Sequence, residues 1–213
     1  MNMKWQFTAA FLVSLACAVG FGLVALLVDA ERLAQFDAVV MSWIQGWRSP
    51  ALTSVMKFFT FIGAGLPAVV ISGFIMFILY TLLGFRRELI FFLWVTVGSA
   101  LLNVALKSIF QRTRPDINRI IDASGYSFPS GHSMAAFSVY GVVTFLLWKH
   151  IHNKAARVAL LCAAAAMILV IGISRVYLGV HYPSDVVGAY LASGFWLTFS
   201  VWFFQRYEHR RGR

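Results

Sequence analysis

Three short stretches of this sequence hold side chains suited to work on a phosphoryl group. Lys107 with Arg114-Pro115 forms the first, Pro129-Ser130-Gly131-His132 the second, and Ser174-Arg175, His181 and Asp185 the third. Lys107, Arg114 and Arg175 are cations bordering apolar runs, where charge is expensive unless it is used. Three convergent cations match the three non-bridging oxygens of a phosphoryl group. Ser130 suits a helix N-cap, and Gly131-His132 then open a helix whose first N–H groups and positive dipole end form an anion site. Gly131, lacking a side chain, lets a phosphate approach the backbone closely. Pro183-Ser184 reads as another helix start, with Asp185 in its first turn. From there a carboxylate can reach back to His181 and fix its tautomer, leaving the other ring nitrogen free to attack.

Each of these residues has a plainer use when taken alone. A loop arginine is usually a topology signal, and a histidine at a membrane interface usually snorkels, as expected of His150 and His152 beside Lys149 and Lys154. Two histidines, three cations and one carboxylate in three loops at one face are not explained that way.

The elements that carry these loops follow from composition. The chain has 213 residues, of which 60% are hydrophobic and 12% charged, and its mean hydropathy is +0.77. A soluble domain normally carries about twice that charged share, so the solvent for much of this surface is lipid. Six apolar segments run from about Trp5 to Val28, Phe61 to Leu83, Leu89 to Leu106, Met134 to Trp148, Val158 to Ile173 and Val186 to Phe204. They lack the alternation of barrel strands, and only helices or closed barrels satisfy their backbone in lipid. The expected fold is all-α, one integral membrane domain over 1–213 built from six transmembrane helices. The first segment is too long for a signal core and is expected to stay as an anchor. Cys17 and Cys162 are expected as small core fillers, not a disulfide.

Between Asp29 and Pro50, Leu33, Phe36, Val40, Trp43 and Trp47 recur at helical spacing with polar residues between them. That pattern suits an amphipathic helix in the membrane interface, or one packed on the bundle. The net charge of +10 fits anchoring of loops to anionic lipid, and its scatter between apolar segments excludes a nucleic-acid partner. If the N-terminus is cytoplasmic, ten Lys and Arg lie on that side, from Lys4 to Arg213. The opposite side holds five besides Lys107, Arg114 and Arg175, namely Arg32, Arg48, Lys57, Arg112 and Arg119. Ten against five puts both termini inside and the 107–129 loop, with the site, outside. A cysteine at Ile117 in that loop should then be reachable from outside the cell.

Lys107-x6-Arg114-Pro115, then Pro129-Ser130-Gly131-His132, then Ser174-Arg175-x5-His181-x3-Asp185 resembles the three-part signature of the type-2 phosphatidic acid phosphatase superfamily. The signature spans 107–185, and the six-span layout extends the likeness to nearly the whole chain. Within the superfamily the sequence looks most like small bacterial membrane enzymes acting on phosphatidylglycerophosphate or undecaprenyl diphosphate. The resemblance implies a lipid phosphatase of the bacterial inner membrane that works through a phosphohistidine and needs no cofactor. His181 would be the nucleophile, Asp185 its orienting partner and His132 the donor of a proton to the leaving group. Lys107, Arg114, Ser130, Gly131 and Arg175 would hold the phosphoryl oxygens. Only Asp116, Asp122 and Asp185 lie in or beside this site, too few hard ligands for a dedicated Mg²⁺ cage. A vanadate-dependent haloperoxidase and a silent transporter are the alternatives. Six spans argue against the first, and polar clusters at segment ends, not at midplane depth, against the second.

Overall fold

The computed structural model describes the backbone of residues 3–63, 65–84, 86–116 and 118–211, and their side chains apart from 3–7, 65, 66, 82, 83 and 208–211. Within these the chain is all-helical: α1 (Met3–Asp29), α2 (Ala34–Gln45), α3 (Pro50–Ile62), α4 (Gly65–Leu83), α5 (Arg87–Phe110), α6 (Gly131–Trp148), α7 (Lys154–Tyr177) and α8 (Pro183–Arg211). Helices α1, α5, α6, α7 and α8 are each long and apolar enough to cross a membrane. Helices α3 and α4, bent by 60° against each other, make a sixth span when counted together. Ile117 and the side chains of Lys4, Arg210, Arg211 and Arg213 lie outside the described residues.

The second span differs from its expected form. A straight helix from Phe61 to Leu83 is replaced by the broken α3–α4 pair, and α3 begins well ahead of the apolar run. Ser49 caps it by accepting from the Leu52 N–H at 3.3 Å, and Pro50 takes the first position, where a missing N–H costs nothing. Helix α3 then descends beside α7 in the opposite direction. Thr53 meets the Tyr177 hydroxyl at 2.9 Å, Thr60 meets Arg175, and Gly63 abuts Ile171.

Helix α2 combines the two readings of the 29–50 segment. Leu33, Asp37, Val40 and Ile44 turn toward the bundle, while Trp43 and Trp47, both more than 60% exposed, point away with their rings 5.0 Å apart. Arg48, just beyond it, donates to the Tyr177 and Asn118 carbonyls, both at 2.8 Å, and so ties α2 to the end of α7.

Lipid is as apolar as leucine, so helices in it associate through close fit more than through the hydrophobic effect. Phe92, Val95, Val142 and Leu146 form a core shared by α5, α6 and α8, with Phe91 stacked on Phe204 at 4.5 Å. Gly98 lets the Trp196 indole lie against α5, where its N–H donates to the Val95 carbonyl at 3.0 Å; a Cβ there would sit 2.2 Å from that ring. Cys17 packs near Gly194, but Cys162 is exposed on α7, so only the first cysteine fills an interior position.

Candidate active site

The three polar stretches converge at one end of the bundle. Lys107 stands in the last turn of α5, His132 in the first turn of α6, Arg175 in the last turn of α7 and Asp185 in the first turn of α8. Arg114 and His181 come from the connecting loops. Lys107, Arg114, Gly131, His132, Arg175 and His181 all line one cavity of about 570 Å³. A larger cavity of about 850 Å³, between α2 and residues 110–118, contains none of the six.

His181 is 1% exposed, with both ring nitrogens engaged. Its Nε2 lies 3.0 Å from an Arg114 terminal nitrogen. A guanidinium only donates, so Nε2 is the unprotonated nitrogen and the proton sits on Nδ1. That Nδ1 faces Asp185 Oδ2 at 3.3 Å. Burial pushes the ring's pKa down to about 4, against the opposing pull of Asp185, so the imidazole is neutral at pH 7 with its Nε2 lone pair toward the cavity.

Asp185 is buried and held from several sides. The Tyr182 N–H donates to Oδ2 at 2.8 Å, the Ser127 hydroxyl donates a short bond to the same oxygen, and Arg112 donates to Oδ1 at 2.7 Å. The carboxylate therefore cannot turn away from His181.

The cations are held differently. Arg114 donates to the Gly125 carbonyl at 2.9 Å, to Ser124 at 3.1 Å and to Val180 at 2.8 Å, which draws the 111–130 loop onto the start of α8. Burial lowers its pKa, though an arginine remains a cation at any working pH. Arg175 donates a short bond to the Thr60 hydroxyl, and its buried Nε has no partner among the described residues. An anion in the cavity would relieve that unsatisfied donor. Half-buried Lys107 faces the same space.

Ser130 is fully buried at the N-cap position of α6, but its hydroxyl does not cap the helix as the sequence suggested. It accepts from the Ser133 hydroxyl at 3.0 Å. With no side chain capping that turn, its N–H groups remain open to an external acceptor. Gly131 has a packing duty as well, since a Cβ there would sit 3.0 Å from Asn103 Oδ1. Gly179, at φ +77, leaves room for the Asn118 carbonyl in the turn before His181; any side chain would be both strained and within 2.7 Å of that oxygen.

Sequence reasoning missed a supporting network. Asp37, 1% exposed on α2, accepts from the Ser184 N–H at 2.8 Å, from the Ser184 hydroxyl at 2.6 Å and from Arg112 at 2.8 Å. Arg112 thereby bridges Asp37 and Asp185, and its guanidinium lies 4.2 Å from the Tyr182 ring centre. Burial opposes the charge on Arg112, but the two carboxylates outweigh it and raise its pKa. The signal was available: Asp37 falls at helical spacing from Leu33 and Ile44, an acid within a buried stripe. Lys57 and Thr60 of α3 also line the site cavity. Among the described residues, no three His, Cys, Asp or Glu side chains come together in a way that could hold a metal ion.

This geometry coincides with a sequence relationship: the profile of the PAP2 superfamily matches residues 88–208. The chain belongs to the PAP2 superfamily. It is similar to phosphatidylglycerophosphatase B of Bacillus subtilis (strain 168), 40% identical over 151 residues that cover 67% of this chain and 70% of that protein. It is also similar to the crystal structure of a transmembrane PAP2-type phosphatidylglycerolphosphate phosphatase from Bacillus subtilis. That match has a TM-score of 0.78 at 32% identity and covers 91% of this chain and 96% of the other. A lipid A 1-phosphatase of Rhizobium johnstonii is 33% identical over 115 residues, 49% of this chain and 43% of that one. The PAP2 chain described here is a multi-span integral membrane protein and a phosphatase of PAP2 type.

Proposed function

We propose that this PAP2 protein removes phosphate from lipid phosphates or lipid diphosphates by way of a phosphohistidine on His181. The observation that carries the reading is the state of His181: a neutral, buried ring with Nδ1 on a fixed carboxylate and Nε2 facing a cavity lined by Lys107, Arg114 and Arg175. A phosphoryl group entering that cavity draws Arg114 from Nε2 onto its own oxygens, which frees the lone pair for in-line attack. The P–N bond forms as the P–O bond to the lipid breaks. His132 gives the departing oxygen its proton. Water then attacks the phosphohistidine, His132 takes up a proton from it, and orthophosphate leaves. Lys107, Arg114, Arg175 and the open N–H groups at Gly131-His132 carry the equatorial charge that a divalent metal carries in other phosphoryl-transfer sites.

The substrate reading rests on the site's position at the ends of α5 to α8, where a lipid head can meet the cations while its chains stay in the bilayer. Phosphatidylglycerophosphate and undecaprenyl diphosphate fit best, with phosphatidate and diacylglycerol diphosphate also compatible. The charge bias favours both termini in the cytoplasm and the site on the extracytoplasmic face.

Purified protein given ³²P-labelled lipid phosphate and quenched in alkali should carry label on His181, with excess EDTA present throughout. His181→Ala should abolish both label and turnover. His132→Ala should retain labelling with a leaving group that needs no proton. Label on His132 would reverse the two roles, and complete loss of activity in EDTA restored by Mg²⁺ would refute the metal-free mechanism.

A further inference from the structure

Lys57 is a fourth cation in the site cavity, and the reaction described above gives it nothing to do. Its side chain is exposed, and it has no hydrogen bond, ion pair or ring contact among the described residues. Its height in the bundle follows from the pairing of α3 with α7. Thr53 is level with Tyr177, Thr60 with Arg175, and Gly63 with Ile171. Lys57 lies between Thr53 and Thr60, and residues three apart share a helix face. It therefore stands above Arg175, about 4.5 Å along the axis from Thr60, toward the loops at the water side. Val55, Phe58 and Phe61 of the same helix are exposed apolar groups, and Phe61 also lines the cavity. One side of the mouth thus offers a free ammonium next to a lipid-facing apolar wall. Asp122, exposed in the 121–125 loop, is the one acid lining the cavity among the described residues.

We propose that Lys57 forms a second anion subsite, which binds a negatively charged group carried by the leaving part of the substrate. This rests on the phosphatase reading of the same cavity and narrows its substrate class. Lys107, Arg114 and Arg175 take the phosphoryl group that is transferred. Lys57, one turn further out, takes a phosphate that stays with the lipid, either directly attached as in a lipid diphosphate or one glycerol away as in phosphatidylglycerophosphate. Phosphatidate, whose leaving group is neutral diacylglycerol, has nothing to offer it. An ammonium with no internal partner has no competing bond to give up when such a group arrives, so its contribution appears as preference between lipids and not as stability.

The test compares wild type, Lys57→Gln and Lys57→Arg, each purified in the same detergent, on phosphatidylglycerophosphate, a polyprenyl diphosphate and phosphatidate. Lys57→Gln should lower kcat/KM roughly tenfold for the two lipids with a charged leaving group, the scale of one charge-assisted hydrogen bond. Phosphatidate should change by less than about twofold, and Lys57→Arg should restore most of the loss. Inhibition by methylenebisphosphonate should weaken in Lys57→Gln more than inhibition by orthophosphate. Equal losses on all three lipids, or no loss on any, would overturn the subsite while leaving the phosphatase reading standing. Failure of the wild type to hydrolyse any of the three would overturn that reading, and the subsite with it.

Discussion

His181 sits where burial and Asp185 act on one ring in opposite directions. Burial wins, and the folded pKa of about 4 lies below the value of 6.5 for a free imidazole. Folding therefore favours the neutral ring, so its contribution to stability is whole above pH 6.5 and is lost as pH falls from there toward 4. In the proposed mechanism the same ring supplies the attacking lone pair, which should persist down to about pH 4. Labelled-histidine NMR, with the His181 resonance assigned by its loss in His181→Gln, should show a neutral ring throughout pH 5 to 7. A transition centred near 6.5 would mean that the ring is solvated and that the tautomer argument fails. Asp185→Asn should keep the fold of the loop yet release the Nδ1 proton's fixed acceptor; kcat should fall on the order of 10²–10⁴, the range seen when a buried carboxylate–histidine pair is broken this way. Unchanged kcat would reduce Asp185 to a purely structural role. The residues that converge at the cavity were legible in sequence because their types and spacing are unusual in an apolar chain. Arg112 was not, because a loop arginine two residues before Arg114 looks the same on paper whether it sets topology or bridges Asp37 and Asp185.

Helix ends show the same division between what pattern reveals and what packing decides. Hydropathy ended the third, fourth, fifth and sixth segments at Leu106, Met134, Ile173 and Val186, yet the helices run on to include Lys107, His132, Arg175 and Asp185. Of these polar residues, Lys107, His132 and Arg175 line the cavity and Asp185 faces the His181 ring behind it, so an apolar window undercounts each helix at the end nearest the cavity. The break between α3 and α4 was hidden for another reason: Ser49-Pro50 signals a helix start, but the apolar run drew attention to Phe61. In α2, spacing alone could not choose between lipid and bundle, because the helix serves both. Its docking depends on Asp37, whose carboxylate holds Arg112 and both the N–H and the hydroxyl of Ser184. Asp37→Ala leaves Arg112 with Asp185 as its one carboxylate and Ser184 with an unpaired buried N–H. That should cost about 3–5 kcal/mol, as when one partner of a buried pair is removed. Thermal unfolding in detergent should show a clear drop in Tm, with activity failing at lower temperature than in wild type. An unchanged Tm would mean that α2 merely rests on the bundle.

Over the whole molecule, the distribution of charge bears on which way the proposed site faces. Of the five cations counted on the loop side besides Lys107, Arg114 and Arg175, three are committed to structure. Arg48 binds the Tyr177 and Asn118 carbonyls, Arg112 bridges two carboxylates, and Arg119 pairs with Asp116 at 2.6 Å. Only Arg32 and Lys57 remain there, and Lys57 lines the cavity of the proposed site. On the opposite side Lys149 lies 5.7 Å from the Phe145 ring and Arg157 lies 4.9 Å from the Trp148 ring, the posture of cations resting on an interfacial aromatic belt. The asymmetry is thus steeper than ten against five, and it favours cytoplasmic termini with the 111–130 loop outside. Ser124, exposed in that loop and lining the cavity, is a suitable reporter in place of Ile117. In a background lacking Cys17 and Cys162, Ser124→Cys should react with a membrane-impermeant maleimide in intact cells. A saturating soluble phosphate analogue such as vanadate should slow that labelling, because the residue borders the cavity proposed to take the phosphoryl group. A cysteine at Asn153, before α7, should react only after lysis. The reverse pattern, Asn153→Cys labelled in intact cells and Ser124→Cys only in lysates, would turn the molecule over and put the phosphate it releases in the cytoplasm.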